Sequence, residues 1–148
     1  MRPDTDALAA FLSGFVAGEG SFSGASDRSR YVFEVGLGAS DREMCGLLRG
    51  FLGVGHIYDS PRRKPHHDDE CNFSVTALPH LLNEVVHFMD EHLPASYKRE
   101  QYLAWRGRLM DYWEHRAKRV RPCTVDGCET PRRAHGLCRH HLFKEYRM

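Results

Sequence analysis

The stretch Phe11-Leu12-Ser13-Gly14-Phe15-Val16-Ala17-Gly18-Glu19-Gly20-Ser21-Phe22 decides how the rest of the chain is read. It begins as an amphipathic helix, with Leu8, Phe11, Leu12 and Phe15 at helical spacing as a predicted core stripe. Ala10, Gly14 and Gly18 recur at every fourth position, with Ala7 and Ala17 beside them, so another face carries only small residues. A helical glycine costs about 1 kcal/mol against alanine, and the usual return for that cost is close approach of another backbone. Glu19 then stands at or just past the helix end, before Gly20. A carboxylate there faces the negative end of the macrodipole and the unpaired carbonyls. A divalent cation would reconcile the two, because hard cations take carboxylate and carbonyl oxygens together. An ordinary helix with a glycine cap and a solvated glutamate is the plainer alternative, and the physics alone leaves both open.

Leu12 to Gly20 resembles, residue for residue, the signature of the LAGLIDADG homing endonucleases. The apolar positions, Gly14, the penultimate acid Glu19 and the final Gly20 all match, and Ser21-Phe22 is a common continuation. Ala17 departs from the first acid of the name, but only the penultimate acid is a metal ligand in that family. Gly53-Val54-Gly55-His56-Ile57 and the placing of Lys98 ahead of Trp105 also look like members of the family.

Composition is compatible with this. The chain has 148 residues, 41% hydrophobic and 11% aromatic, enough for one cored domain plus a small appendage. No apolar run reaches the length of a membrane span and the N-terminus carries no signal-peptide pattern, so the expectation is an intracellular protein, cytoplasmic or nucleoid-associated, with no membrane partner. The net charge of +1 hides an asymmetry. Residues 1–95 hold 8 Lys/Arg and 14 Asp/Glu, whereas residues 96–148 hold 13 and 6. A basic C-terminal third is the electrostatic footprint of phosphate contact.

Asp4 or Thr5 is placed to cap the first helix, which is predicted to run to about Gly18. Two strands follow, Ser21–Ser23 and Tyr31–Leu37, joined by the turn-rich Gly24–Ser29. Alternation sends Phe33, Val35 and Leu37 to one face and Val32, Glu34 and Gly36 to the other. Ser40 and Glu43 read as a capping box for a second helix burying Met44, Leu47, Leu48, Phe51 and Leu52 and stopping at Gly53. A second strand pair, Val54–Arg62 and Cys71–Thr76, flanks the polar loop Arg63–Glu70, with Phe73 and Val75 inward and Asn72, Ser74 and Thr76 outward. A third helix opens at Leu78-Pro79, buries Leu81, Leu82, Val85, Val86 and Met89, and ends at Pro94. A fourth runs from Ser96 to about Arg116 through Tyr102, Leu103, Trp105, Leu109 and Trp113, and Lys118–Pro122 is a basic linker. The fold class is therefore α+β, with one antiparallel sheet covered on one face by helices. The resemblance independently implies the same αββαββα order, giving a domain over residues 1–117 and an appended element over 118–148.

The resemblance further implies Mg²⁺-dependent hydrolysis of a phosphodiester, with Glu19 as catalytic metal ligand and the Gly18 carbonyl as a second oxygen donor. No second copy of the motif occurs, so a homodimer paired through Ala10, Gly14, Ala17 and Gly18 would supply both Glu19 side chains, on a near-palindromic double-stranded DNA target. Lys98 falls where the family places a lysine near the scissile phosphate. Leu37 occupies the position where the family often has a polar, water-holding residue. Arg42 is a further candidate for approaching the phosphate. On the open sheet face Ser21, Ser23, Arg30, Glu34, Tyr58, Ser60, Arg62, Asn72, Ser74 and Thr76 are candidate base readers, since strands can lie in the major groove. Arg28, Arg63 and Lys64 lie on loops suited to phosphate or outer-base contact. A polar sheet face is more commonly plain solvent exposure.

A second signal lies in the tail. Cys123-x4-Cys128-x9-Cys138-x2-His141 offers two close ligand pairs, the pattern of a closed structural Zn²⁺ site, with His140 the alternative fourth ligand. So short a segment buries too little to fold without a metal. It resembles the small zinc-ribbon or treble-clef-like elements appended to nucleases. Arg132, Arg133, Arg139, Lys144 and Arg147 would extend a DNA footprint. Disulfides are disfavoured by an intracellular setting and by Cys45 and Cys71 outside the cluster. His66-His67 beside Asp68-Asp69-Glu70 reads most simply as an acidic loop, although another metal site is an alternative. The leading expectation is a site-specific endonuclease of the mobile-intron or intein type. The runner-up is a non-cleaving binder on the same fold, an RNA maturase or transcription regulator. An HNH-type nuclease is disfavoured because no His-Asn-His constellation surrounds the cysteines.

Overall fold

The computed structural model describes residues 5–24, 30–118 and 121–146, so the candidate cap Asp4 and the candidate DNA contact Arg28 lie outside the described residues, as does Arg147. The chain divides into two compact units, Met1–Leu109 and Met110–Met148, a division that falls ahead of the basic linker. In chain order the elements are α1 (Thr5–Glu19), β1 (Gly20–Ser23), β2 (Val32–Gly38), α2 (Arg42–Leu52), β3 (His56–Ser60) and β4 (Glu70–Val75). Next α3 (Leu78–His80) runs through a π-helical turn (Leu81–Val85) into α4 (Val86–His92), and α5 (Tyr97–Lys118) and α6 (Arg139–Glu145) follow. The four strands form one antiparallel sheet in the order β1-β2-β4-β3, as the α+β reading requires. Among the described residues no helix is long and apolar enough to cross a membrane.

Side-chain alternation holds through the sheet. Phe33, Val35, Cys71, Phe73 and Val75 are buried on the helix side, where α1 adds Leu12 and Val16, α2 adds Leu48 and α5 adds Tyr102, Trp105 and Leu109. The pivot of this core is Phe22. Its ring lies 5.3 Å from Phe33, 5.2 Å from Tyr102 and 5.1 Å from Trp105. Each such aromatic pair contributes about 0.5–1.5 kcal/mol beyond its buried area. The Trp105 indole N–H also donates to the Ser23 carbonyl at 2.9 Å, holding the exit of β1. The Tyr102 hydroxyl donates to Asp90 Oδ1 at 2.5 Å and Arg106 grips the same carboxylate, tying α5 to α4.

Several local expectations give way to this packing. The buried arc of α1 is Ala9, Leu12, Ser13 and Val16, whereas Phe11 is 55% exposed. Small Ala9 and Ser13 let the helix sit close to the sheet, and Ser13 Oγ satisfies itself on the Ala10 carbonyl at 2.9 Å. Ser40 does not cap α2: residues 39–41 form a 3₁₀ turn and the helix starts at Arg42 without a side-chain cap. Cys45 rather than Met44 or Leu47 faces inward there, and Gly53 ends the helix in the left-handed conformation as expected. In α5, Leu103 and Trp113 are exposed at 49% and 43%.

Gly20 is where α1 becomes β1 with no intervening loop. A Cβ at this position would stand 2.7 Å from Val16 Cγ1 and 2.8 Å from the Val16 carbonyl oxygen. The second contact is backbone, so repacking a side chain does not relieve it. Gly20→Ala is expected to lower unfolding stability by about 1–3 kcal/mol, whereas Gly14→Ala, with open space in front of it, should raise the stability of the isolated chain by up to about 1 kcal/mol. Urea denaturation of the two variants checks the contrast.

Candidate nucleic-acid interface and metal centres

Three groupings of side chains stand out: a depression at the end of α1, the uncovered sheet face, and a thiol cluster in the second unit. The first follows from the direct α1–β1 junction, which leaves Glu19 exposed beside the far end of β2. Glu19, Leu37, Asp41, His67, Asp68 and Glu70 line a depression of about 540 Å³. The β3–β4 loop is drawn into it because the Ala39 amide donates to the Asp69 carbonyl at 2.7 Å and the Arg62 amide donates to Asp69 Oδ1 at 3.0 Å. Four carboxylates with one imidazole make a strongly negative, oxygen-rich pocket. Such a donor set suits a hard divalent cation and repels a bare phosphate. The residues His66 to Glu70, which the sequence presents as a plain acidic loop, thus contribute His67, Asp68 and Glu70 beside Glu19. Strand pairing over more than thirty positions of chain brings them there, and spacing gives no hint of it. Leu37 lines the same depression as Glu19, with an apolar side chain.

Lys98 is half-buried in the first turn of α5. Trp105 bonds Ser23 and Tyr102, nearly one turn earlier, stacks on Phe22. Lys98 lies about one further turn towards the start of α5 from Tyr102.

On the uncovered sheet face the register aligns Ser21, Glu34, Ser74 and His56 in one row, and Gly36, Asn72 and Tyr58 in the next. Tyr58 is exposed and donates its hydroxyl to Glu34 Oε2 at 2.9 Å. Burial and that bond to a carboxylate push the Tyr58 pKa above its ordinary value. Ser21, Ser23, Arg30, Arg62, Arg63 and Lys64 are exposed, Ser60 is half-buried, and Thr76 is exposed just past the end of β4. Asn72 and Ser74 do point to this face, but at 6% and 7% exposure they are buried. Asn72 gives its amide to Ser60 Oγ at 3.1 Å and fills the space that Gly36 leaves. On a central strand, short side chains are shielded by longer ones on both neighbours. Arg42 turns its guanidinium to Asp59 and approaches Cys71 Sγ at 3.9 Å, a pairing a local reading cannot see. His56, quoted above only within a family-like stretch and not as a base reader, is exposed on this face beside Ser74.

The second unit brings Cys123, Cys128, Cys138 and His141 together, with all four ligand atoms within 4.8 Å of one another. The Cys128 amide folds back onto the Val125 carbonyl at 3.0 Å, forming the knuckle that aims the first thiol pair. Residues 130–137 return as a hairpin, and Cys138 and His141 sit at the start of α6. His141 Nδ1 lies 3.3 Å from both Cys123 Sγ and Cys138 Sγ, and Cys128 Sγ is 3.9 Å from Cys138 Sγ. A tetrahedral ion with thiolate arms of about 2.3 Å has ligand–ligand edges of about 3.8 Å. The set therefore fits a closed, borderline-soft metal centre, and His141 rather than His140 completes it. All the cysteines are free thiols. Burial works to raise the Cys123 thiol, but the backbone amides of Cys138 and Val125, with His141, outweigh it and bring its pKa to about 6. Among the described residues the buried core around the thiols is Cys123, Leu137 and Cys138, with Cys128 and Leu142 packed against them.

Comparisons with known proteins bear on the first unit. The sequence profile described as LAGLIDADG endonuclease matches residues 12–108. The group I intron-encoded homing endonuclease I-CeuI, solved in complex with DNA, superposes with a TM-score of 0.64 at 17% identity, over 81% of this chain and 62% of that one. The meganuclease I-SmaMI, bound to uncleaveable DNA, gives 0.60 at 20% identity over 73% of this chain and 38% of that one. The homing endonuclease I-LtrWI bound to target DNA gives 0.56 at 20% identity, over 73% and 37%. The chain thus spans less than two thirds of the length of these structures, and at these identities they establish the fold. A comparison with curated proteins gave no significant match.

Because so few apolar side chains are buried in residues 121–146, metal removal is expected to unfold this segment while residues 5–109 keep their core. Amide exchange measured before and after zinc-selective chelation should show protection lost only in the C-terminal unit, and Cys138→Ser should reproduce that loss. Elemental analysis should return about one zinc per chain.

Proposed function

The chain belongs to the LAGLIDADG endonuclease family, and on that footing we propose that it is a homodimeric homing endonuclease cutting both strands of a long, near-palindromic DNA target. The observation that carries the reading is Glu19, exposed in an oxygen-rich depression beside an exposed helix face lined by glycine. Gly14 and Gly18 have no atom within 4 Å of where a Cβ would stand. Ala10 and Phe11 share that exposed face. Two helical glycines that meet no side chain among the described residues would be accounted for by a second chain, packed helix to helix through Ala10, Gly14, Ala17 and Gly18. The same two-fold axis supplies a second Glu19.

Glu19 and the Gly18 carbonyl would hold Mg²⁺, which supplies charge neutralisation and activation of water at the phosphodiester. Lys98 would balance charge on the phosphate. Around it the chain's own groups act by position: the acidic depression admits a phosphate only with its cation, and the Glu34–Tyr58 pair, Ser21, Ser23, Ser60 and His56 present donors and acceptors to base edges. Arg30, Arg62, Arg63 and Lys64 suit backbone phosphates. The zinc-centred tail, through Arg132, Arg133 and Arg139, would lengthen the footprint. Residence in a mobile intron or intein fits such an enzyme.

A non-cleaving nucleic-acid binder on the same fold is the second reading, favoured by one observation. Leu37 puts an apolar side chain into the depression where an attacking water needs a hydrogen-bond partner.

Duplexes drawn from the DNA flanking the gene, incubated with and without Mg²⁺, separate the two readings. Cutting of one duplex only with Mg²⁺ is the expected result. Tight binding without cutting in Mg²⁺ would establish the second reading instead. Glu19→Gln should abolish cleavage and leave binding within about threefold, since it removes one charge and little contact area. Gly14→Leu should shift the light-scattering mass on target DNA from dimer to monomer, while a monomeric wild type would refute the homodimer.

A further inference from the structure

Tyr58 reaches across a whole strand. It stands on β3, and β4 separates it from β2, yet its hydroxyl donates to Glu34 Oε2 at 2.9 Å. Two strand spacings come to about 10 Å, a span that a phenol and a glutamate side chain cover jointly when they lean towards each other. Tyr58 is registered with Asn72, and Glu34 with Ser74, so the bridge crosses β4 on the diagonal between those two residues. A crossing there accounts for Asn72 and Ser74 being buried on a sheet face that no helix covers. Asn72 is committed besides, its amide donating to Ser60 Oγ at 3.1 Å.

The bridge gives this point of the face a polarity. The single phenolic proton goes to Glu34, so the Tyr58 oxygen is left as an acceptor only. Burial and the bond to the carboxylate push the phenol pKa up, which keeps that proton in place. Glu34 Oε1 takes no hydrogen bond among the described residues, and an ionised carboxylate has no proton to give. Two acceptors therefore stand side by side, one of them charged. An anion turned towards phosphate-lined DNA is disfavoured unless a base amine meets it. In the major groove guanine shows two acceptors and thymine one, and adenine sets its N7 acceptor beside its amine. Cytosine shows the N4 amine with no acceptor of its own. We infer that Glu34, held in direction by Tyr58, fixes cytosine at one position of each half-site, with Oε1 accepting from the N4 amine. This rests on the proposal that the sheet face lies on duplex DNA, and it names a base where that proposal names a surface. Glu34 is the reader and Tyr58 a positioning residue: without the bond the carboxylate turns freely and loses the fixed direction that excludes other bases.

The test selects tight binders from a randomised duplex library, using the full-length, zinc-loaded protein without magnesium so that cleavage plays no part. The wild type should return a consensus with cytosine favoured about tenfold or more at the position Glu34 reads. Glu34→Gln should change that position alone, towards adenine, which an amide meets with a donor and an acceptor together. Tyr58→Phe should lower the cytosine preference there at least about threefold. The remaining positions, unchanged in both variants, show that each variant still folds. A well-defined consensus in which no position responds to Glu34→Gln overturns the inference, as does a responding position where the wild type prefers guanine, thymine or adenine. A cytosine preference untouched by Tyr58→Phe overturns the positioning role. In these cases the DNA-binding reading stands, whereas a library that yields no consensus at all removes both.

Discussion

Everything in the first unit hangs on the docking of one short strand. β1 has four residues and one sheet neighbour, too little backbone pairing to hold it by itself. Phe22 supplies the rest, inserted among Phe33, Tyr102 and Trp105, with the Trp105 indole latched to the strand's last carbonyl. Because Gly20 allows α1 to enter β1 without a loop, fixing Phe22 also fixes Glu19 three residues earlier. The aromatic cluster therefore sets the position of a carboxylate it never touches, and α5, which provides two of its rings, carries Lys98 on the same rigid element.

Local pattern revealed most of the frame. Alternation at Phe33, Val35, Phe73 and Val75 gave the strands and their inward faces, Gly53 ended the second helix, and the cysteine spacing announced a four-ligand cluster. Pairing partners were not legible. Asn72 and Ser74 point where alternation sends them, yet their accessibility depends on what stands across the strand. The Arg42–Asp59 pair joins a helix start to an edge strand, and His67, Asp68 and Glu70 meet Glu19 only through register. Ser13 misled in another way: a polar residue that satisfies itself within the helix disguised the buried arc, so Phe11 was assigned to the core. Short-range periodicity sees which way a side chain points, and only register says what it meets.

The two units solve the same stability problem with different materials. The first buries an aromatic and aliphatic core. The second buries little beyond Leu137 and its cysteines and gathers a four-ligand cluster instead. The donor sets divide along the same line, oxygens in the depression at the end of α1 and sulfur with imidazole in the tail. On the proposed metal assignment, ligand chemistry alone would sort a hard from a borderline-soft cation. Cys45 stays outside this division. Burial pushes its thiol up to about 12, so it behaves as a small hydrophobe in the core.

The bare face of α1 has a consequence for dose. On the homodimer reading each chain carries half a centre, and below the dissociation constant the concentration of completed centres rises with the square of chain concentration. A modest fall in expression then suppresses double-strand cutting more than proportionally, and a modest rise does the reverse. Gly14 and Gly18, by weakening the lone helix and leaving its surface uncovered, would make the chain's chemistry a threshold function of its own abundance.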